Sequence, residues 1–442
     1  MSSQNSYINI TNVNTELILA YLFRDCKETK MQYPIKTLFY KTTPLLVVLM
    51  NLIAPVKAQT YVDQTSFGKG LLNYVASDST FSVKFAPRMQ GRYELNSAII
   101  GNELSSSDHS FLIRRARFKF DGWAYSPNLK YKMEFGLSNN DMSGANKYTK
   151  GAPRYILDAV IMWKFAKGWE FWAGQTKMPG NVERVVSSGN LQLIDRSLLN
   201  KHFTLDRDMG VQLRHTTKFR NGMMTREKFA ITQGEGRNIT TGNEGGLQYT
   251  ARVEWFPFGA FHKKGDYIQA ATYRESKPKL MLTYTYNLNQ DGVKTRSAMG
   301  SYMELLNYVN SNLYRTDITT QFVDGMFKYK GISGMFEWAR RRSVNPIALD
   351  AFGLPSGDVV VDGDALNLQM GVFVSKKVEL AARYTQVQFE PYAGMKNANQ
   401  YTIGWSKYVQ GHKLKVQADL SYTVQEGIAT GLLFRTGFDL HF

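Results

Sequence analysis

Cysteine is nearly absent. Cys26 is the only one in 442 residues, which excludes a disulfide framework for the rest of the chain. Long apolar runs are nearly absent as well. The one stretch of note, PLLVVLMNLIAP from Pro44 to Pro55, falls short of the roughly 20 residues that a membrane-spanning helix needs. Its flanks give it another meaning. Met31 opens a segment with Lys36 and Lys41, the apolar run follows, and Val56–Ala58 has the small-residue form of a signal-peptidase site. The expected mature chain starts at Gln59, with residues 31–58 as signal peptide and 1–30 as an upstream extension outside the mature protein.

Acidic residues are also in short supply. The chain has 54 Lys and Arg against 37 Asp and Glu; six basic and three acidic residues lie in 1–58, so the remainder carries +14. Such a balance points to a polyanion, an acidic surface or small anions as partners. Export argues against nucleic acid. The six histidines, at 109, 202, 215, 262, 412 and 441, lack metal-ligand spacing, and there is no Gly-rich phosphate loop or nucleophile elbow. The reading is a protein that is not an enzyme, with no catalytic or metal residues and no cofactor.

What the chain has in quantity is aromatic and turn residues: 25 Tyr, 26 Phe and 36 Gly, a composition suited to many short strands. From Phe81 onward, apolar and polar residues alternate. In LQYTARVEWF, Leu247, Tyr249, Ala251, Val253 and Trp255 share one face, and Gln248, Thr250, Arg252 and Glu254 share the other. HKLKVQADLSY and the terminal GLLFRTGFDLHF behave alike. Sixteen such segments begin near Phe81, Phe111, Leu129, Tyr155, Trp169, Met209, Phe229, Leu247, Pro278, Phe322, Ile332, Ala365, Lys377, Gln400, His412 and Gly431.

Their connections alternate in length. SPN, AKG, KG, SK and QG are short, whereas 95–110, 177–208, 287–321 and 343–364 are long. Short turns on one side and large loops on the other are the layout of an outer-membrane barrel. Lipid offers no hydrogen-bond partners, so such a sheet must close. One connection breaks the pattern: 256–277, FPFGAFHKKGDYIQAATYRESK, falls where a short turn is expected. A soluble sandwich or propeller is the competing fold, and a propeller would show a blade-length repeat that is not found. The expected fold is all-β: a transmembrane antiparallel β-barrel of about 16 strands over 81–442, preceded by a periplasmic N-terminal segment, 59–80.

The stretches FSVKFAPRMQGRYEL, FLIRRARFKFDGWAYSPNLKYKMEFG, YILDAVIMWKFAKGWEFWAGQTKMP and RDMGVQL, followed by ARVEWFPFG, GHKLKVQADLSYT and the terminal Phe442, resemble the phosphate-selective porin O and P family, in the form found in Bacteroides-type bacteria. The resemblance implies a sixteen-stranded trimeric porin whose third external loop, here Met178 to Asp208, folds inward. It implies lumen Arg and Lys, matched by Arg114 and Arg115, a turn string matched by Gly174, Gln175 and Lys177, and a lumen aspartate matched by Asp158. The long arginine ladder of the founding members is not evident, since the fifth external loop offers only Lys294, Arg296 and Arg315.

On this reading Arg115, Arg117 and Lys119, alternating in FLIRRARFKF, line an anion path, with Asp121 and Glu134 as the partners that would make them plain lumen scaffolding. Arg114 is out of phase and marks a bulge or snorkels. Lys177 and Asp158 form either a narrow-point ligand site or a salt bridge holding the inward loop. Arg92, Arg184 and Arg196 join the candidate path. The cluster Ala339–Ser343 stands at an outer strand end, suited to lipopolysaccharide phosphates, and Trp163, Trp169, Phe171 and Trp172 flank the AKG turn as an aromatic girdle. The expected function is passive diffusion of small solutes through a water-filled outer-membrane channel, favouring anions such as phosphate. Outer-membrane lipid, lipopolysaccharide and two further copies of the chain, as a homotrimer, are the other partners. A non-conducting structural or adhesion barrel and an outer-membrane hydrolase are the alternatives.

Overall fold

The structure, a computed structural model, describes residues 66–101, 103–305 and 313–442. The expected extension, signal peptide and Gln59 start lie outside these residues. Sixteen strands form the barrel: β1 (Arg88–Ile100), β2 (Glu103–Ala124), β3 (Ser126–Gly136), β4 (Ile156–Ala166), β5 (Trp169–Lys177), β6 (Arg207–Lys218), β7 (Met224–Thr232) and β8 (Gln248–Phe256). They continue with β9 (Lys279–Gly292), β10 (Thr316–Tyr329), β11 (Ile332–Ser343), β12 (Gly363–Phe373), β13 (Val378–Phe389), β14 (Ala398–His412), β15 (Leu414–Gln425) and β16 (Ile428–His441). Each pairs antiparallel with the next, and β16 returns to β1 from Gly431 opposite Ala98 to His441 opposite Arg88, so no barrel edge is left open.

The alternation decides which way the sheet faces. Along β8, Gln248, Thr250, Arg252 and Glu254 are buried, whereas Val253 and Trp255 are 50% and 44% exposed. β15 repeats this, with Lys415, Gln417, Asp419 and Ser421 buried and Val416 and Tyr422 outside. A soluble sheet does the reverse. Polar residues inside a closed wall and apolar residues outside it are the arrangement that lipid requires.

Two expectations need correcting. The first segment does not run unbroken from Phe81: Phe81–Phe85 pairs with Phe120–Ala124 of β2, and β1 resumes at Arg88 against Arg117. Pro87, which has no N–H to donate, lies in the break. Leu72–Val75 pairs with Phe81–Phe85 and extends the wall at the short-turn end. Second, 95–110 is not a long loop. β1 and β2 pair as far as Ile100 opposite Glu103. The backbone ladder continues there through ELSSSDHS, where no apolar face exists to signal a strand.

The connection 257–278 joins neighbouring strands, because β8 and β9 pair from Gln248–Asn289 to Trp255–Leu282. Gly174 in β5 has φ +124°, and a side chain there would run into the carbonyl oxygen of Ala159 on β4. We expect Gly174→Val to destabilise the barrel by about 1–3 kcal/mol, read as a lower midpoint of the heat-induced gel shift; an unchanged midpoint would refute this close approach.

Candidate functional site

Between β5 and β6, residues 178–206 leave the wall and cross the lumen, two residues short of the expected end at Asp208. The loop carries an apolar side that the inner wall receives. Leu199, Phe203 and Leu205 pack on Phe322, Ala339, Val387 and Phe389. Val182, Val186 and Leu191 pack on Met224, Phe256, Met281, Met326 and Met335. These six loop side chains are at most 1% exposed, and full burial of such a group contributes about 1.5–3 kcal/mol.

Inner-wall polar groups then satisfy the loop's backbone. Lys415 Nζ donates to the Leu191 carbonyl at 2.7 Å and Gln417 Nε2 to that of Gln192 at 2.8 Å. Arg341 donates to the carbonyls of His202 and Phe203 at 2.9 and 3.0 Å, and Glu337 accepts from Asn181 at 3.1 Å and the Glu183 N–H at 2.7 Å. Arg252 donates to the Gly180 carbonyl at 2.7 Å while its head pairs with Asp324 at 3.0 Å and Glu254 at 2.8 Å. The lumen in front of β8–β15 is thereby packed shut.

A second segment enters from the short-turn end. The exceptional connection 257–278 is drawn inward by Lys328, whose Nζ donates to the carbonyls of Gly265 and Ala270 at 2.8 and 2.9 Å, and by an Asp266–Arg226 pair at 2.7 Å. It meets the inward loop directly: Asn190 Nδ2 donates to the Tyr267 carbonyl and the Gln269 N–H to that of Asn190, both at 3.0 Å.

What stays open is a cavity of about 820 Å³ bordered chiefly by β2–β7 and the loop, with Gln400 of β14 and Leu433 and Arg435 of β16 closing its far side and Tyr267 at its short-turn end. Thirteen of its lining residues are Lys or Arg and five are Asp or Glu. The bases are Arg114, Arg115, Arg117, Lys132, Lys177, Arg184, Arg196, Lys201, Arg207, Arg214, Lys228, Arg237 and Arg435.

The structure brings most of the sequence-predicted residues to this cavity and gives each a partner. Arg115 is 2% exposed, donates to Gln90 and lies 3.5 Å from Asp195. Arg92 and Arg114 also reach Asp195, at 2.8 and 3.1 Å. Arg114 is the extra residue of a bulge, where Gln90–Arg115 is followed by Gly91–Ile113, and the bulge turns it into the lumen. Arg117 pairs with Glu134 at 3.1 Å and with Asp141 at 2.8 Å. Lys119 lies outside the cavity lining, half-exposed and paired with Asp121 at 2.7 Å.

Lys177 and Asp158 do not pair. Lys177 Nζ caps the short helix Val182–Val185 through the carbonyls of Arg184, Val185 and Val186 at 2.8–3.2 Å. Asp158, fully buried, takes Lys132 at 2.7 Å, Thr176 at 2.9 Å and Arg207 at 3.1 Å. Three converging carbonyls satisfy the ammonium's three donors, while the oxygens of Asp158 are already taken by Lys132, Thr176 and Arg207. Arg184 pairs with Asp206 through Nε at 2.7 Å, and Arg196 donates to the carbonyls of Glu183 and Val186 at 3.0 and 2.9 Å.

Asp195, Lys132, Arg207, Arg214 and Arg237 were not anticipated. The alternation of β6 could have flagged Arg214, which shares a face with Gln212 and stacks on Trp172 at 3.5 Å. Nothing local marks Asp195. Burial alone would raise the Asp195 pKa, but the guanidiniums of Arg114, Arg115 and Arg92 hold it well below the usual value. Its contribution is therefore full above the ordinary carboxylate pKa of about 3.9 and is lost only as pH falls well beneath it. Asp195→Asn should loosen the inward loop and cost about 1–3 kcal/mol at pH 7, lowering the unfolding midpoint in urea. Equal midpoints for parent and variant would show that Asp195 does not hold the loop.

No curated protein matches the chain. Solved structures similar to it are outer-membrane barrels. The channel DcaP of Acinetobacter baumannii superposes with TM-score 0.51 at 11% identity over 84% of this chain and 99% of that one. An anion-selective porin from Comamonas acidovorans gives 0.50 at 11% over 82% and 100%. A loop L8 deletion mutant of OmpT, an outer membrane protein of Vibrio cholerae, gives 0.50 at 14% over 82% and 100%. At such identities they bear on the fold alone. The description phosphate-selective porin O and P matches residues 83–301, the part that supplies β2–β7, the inward loop and most of the cavity lining. These residues, set in a closed sixteen-stranded barrel, are similar to the phosphate-selective porin O and P family.

Proposed function

We propose that the protein is a passive channel for small solutes that favours small anions such as phosphate. The observation that carries this reading is the cavity lining, thirteen cationic side chains against five carboxylates. In a narrow passage with low-dielectric walls such an excess raises the local anion concentration above bulk. Arg115, Arg117, Arg92, Arg184, Arg196, Lys177 and Asp158 act chiefly by holding the loop and setting the background field, because their heads are already engaged. Lys201 is exposed, and Lys201, Arg214 and Arg237 have no carboxylate partner among the described residues; Arg214 donates to Gln212 and Arg237 to the Asp141 carbonyl, so none of the three charges is directly neutralised. The family resemblance adds a homotrimer to this reading, for which crosslinking in mild detergent is the check.

Replacing Lys201, Arg214 and Arg237 together by Gln should shift the reversal potential in a salt gradient toward the cation side. The shift should shrink above about 0.1 M salt, where charges beyond about 10 Å are screened. A parent that prefers cations, or a triple variant with the parent's selectivity, would refute the anion reading, and absence of conductance would favour a structural barrel. A separate expectation concerns the inward segment: exchanging residues 260–275 for a short turn should raise single-channel conductance, whereas an unchanged value would leave the loop between β5 and β6 as the sole constriction.

A further inference from the structure

The two ends of the barrel differ in charge. At the long-loop end, some cations are paired, Lys147 with Glu304 at 2.9 Å and Arg340 and Arg342 with Asp364 at 2.7 and 2.6 Å, whereas Lys150, Arg315 and Lys396 are exposed without a carboxylate partner among the described residues. Exposed carboxylates such as Glu103, Asp108, Asp291 and Glu426 stand there as well. The short-turn end, periplasmic in the outer-membrane layout, carries exposed cations on turn after turn, with Asp78 of the hairpin before Phe81 as an exposed acid beside them. Lys130, Lys167, Arg220, Lys264, Lys330 and Lys376 are exposed on or beside six successive turns. None of the six has a carboxylate within salt-bridge distance among the described residues. The acids of the connection 257–278, Asp266 and Glu275, are buried and turned to internal partners.

We infer that this cationic rim binds the phosphodiester headgroups of anionic phospholipids in the periplasmic leaflet of the outer membrane. Two observations favour lipid over a protein or the cell wall. The cations run along successive turns around the barrel, as annular lipid does, whereas a folded partner would touch one sector. They also sit beside a belt of outward aromatic side chains on the same strand ends and turns, Trp163, Phe165, Trp169, Phe219, Phe258 and Trp405, each 36–55% exposed. Such belts mark the headgroup level. Lys and Arg at that level gain from anionic lipid cumulatively.

The test uses the folded barrel reconstituted in phosphatidylcholine vesicles with spin-labelled phosphatidylglycerol or phosphatidylcholine as the annular probe. The expected preference for phosphatidylglycerol is about threefold or more at low salt, falling toward one at about 0.5 M. Replacing Lys130, Lys167, Arg220, Lys330 and Lys376 by Ser should abolish it with conductance unchanged, while Arg340→Ser with Arg342→Ser at the other end should leave it intact. The salt dependence of the parent needs no variant and stands if the fivefold change fails to fold. Equal association of the two lipids with the parent, or a preference retained in the folded fivefold variant, overturns the inference. Loss of preference in inorganic phosphate beyond that in chloride of equal ionic strength would assign the rim to free anions. Binding to purified peptidoglycan sacculi through the same residues, without lipid preference, would assign it to the cell wall.

Discussion

Closing a sheet on itself inside lipid leaves its polar side chains with one place to go. Everything else in this protein follows from that constraint. The inner wall of β8–β15 carries Arg252, Asp324, Glu337, Arg341, Gln369, Glu379, Arg383 and Lys415, all at most 4% exposed. Charges buried so deeply must find partners or be strongly unfavourable. A water-filled lumen would solvate them; here a protein segment does so instead. Arg252 shows the logic most plainly, since one guanidinium joins β8 to β10 through Asp324 and reaches the inward loop through the Gly180 carbonyl.

The same constraint makes the lumen lopsided. Loop residues 178–206 carry apolar side chains, and the inner wall answers with Met224, Phe256, Met281, Phe322, Met326 and Met335. Burying these residues against one another pins the loop to the β8–β15 side. The passage left over runs along β2–β7, where cations outnumber carboxylates. Charge is thus coupled to packing: the interactions that close one side of the lumen leave the excess of cationic side chains on the other. The segment 257–278 strengthens this coupling, because it touches the loop at Asn190 and Gln192 and presents Tyr267 to the cavity.

Much of the wall was legible from alternation alone. β8, β15 and β16 could be read residue by residue, because one apolar face in lipid repeats with period two. The hairpin between β1 and β2 was not, since ELSSSDHS has no apolar face to read although its backbone pairs throughout. The candidate path was legible in part. Arg115, Arg117 and Glu134 lie on alternating strands, so their lumen position followed from phase. Lys177 was placed by the family resemblance, yet its partners are helix-end carbonyls rather than Asp158. No pattern in a loop announces such a contact.

The sequence by itself determined the strand number, the inside-out polarity of the wall, the alternation of short and long connections and the basic character of the whole, because these are local or additive properties of the chain. Only the tertiary structure decided that Asp195 gathers Arg92, Arg114 and Arg115, that Asp158 serves Lys132 and Arg207, that 257–278 turns into the lumen, and which side of the lumen stays open. Those outcomes depend on which residues meet across separations of 26 to 225 positions. A charged or apolar side chain on the inner face has many potential partners, and only the closed barrel with its inserted loop selects among them.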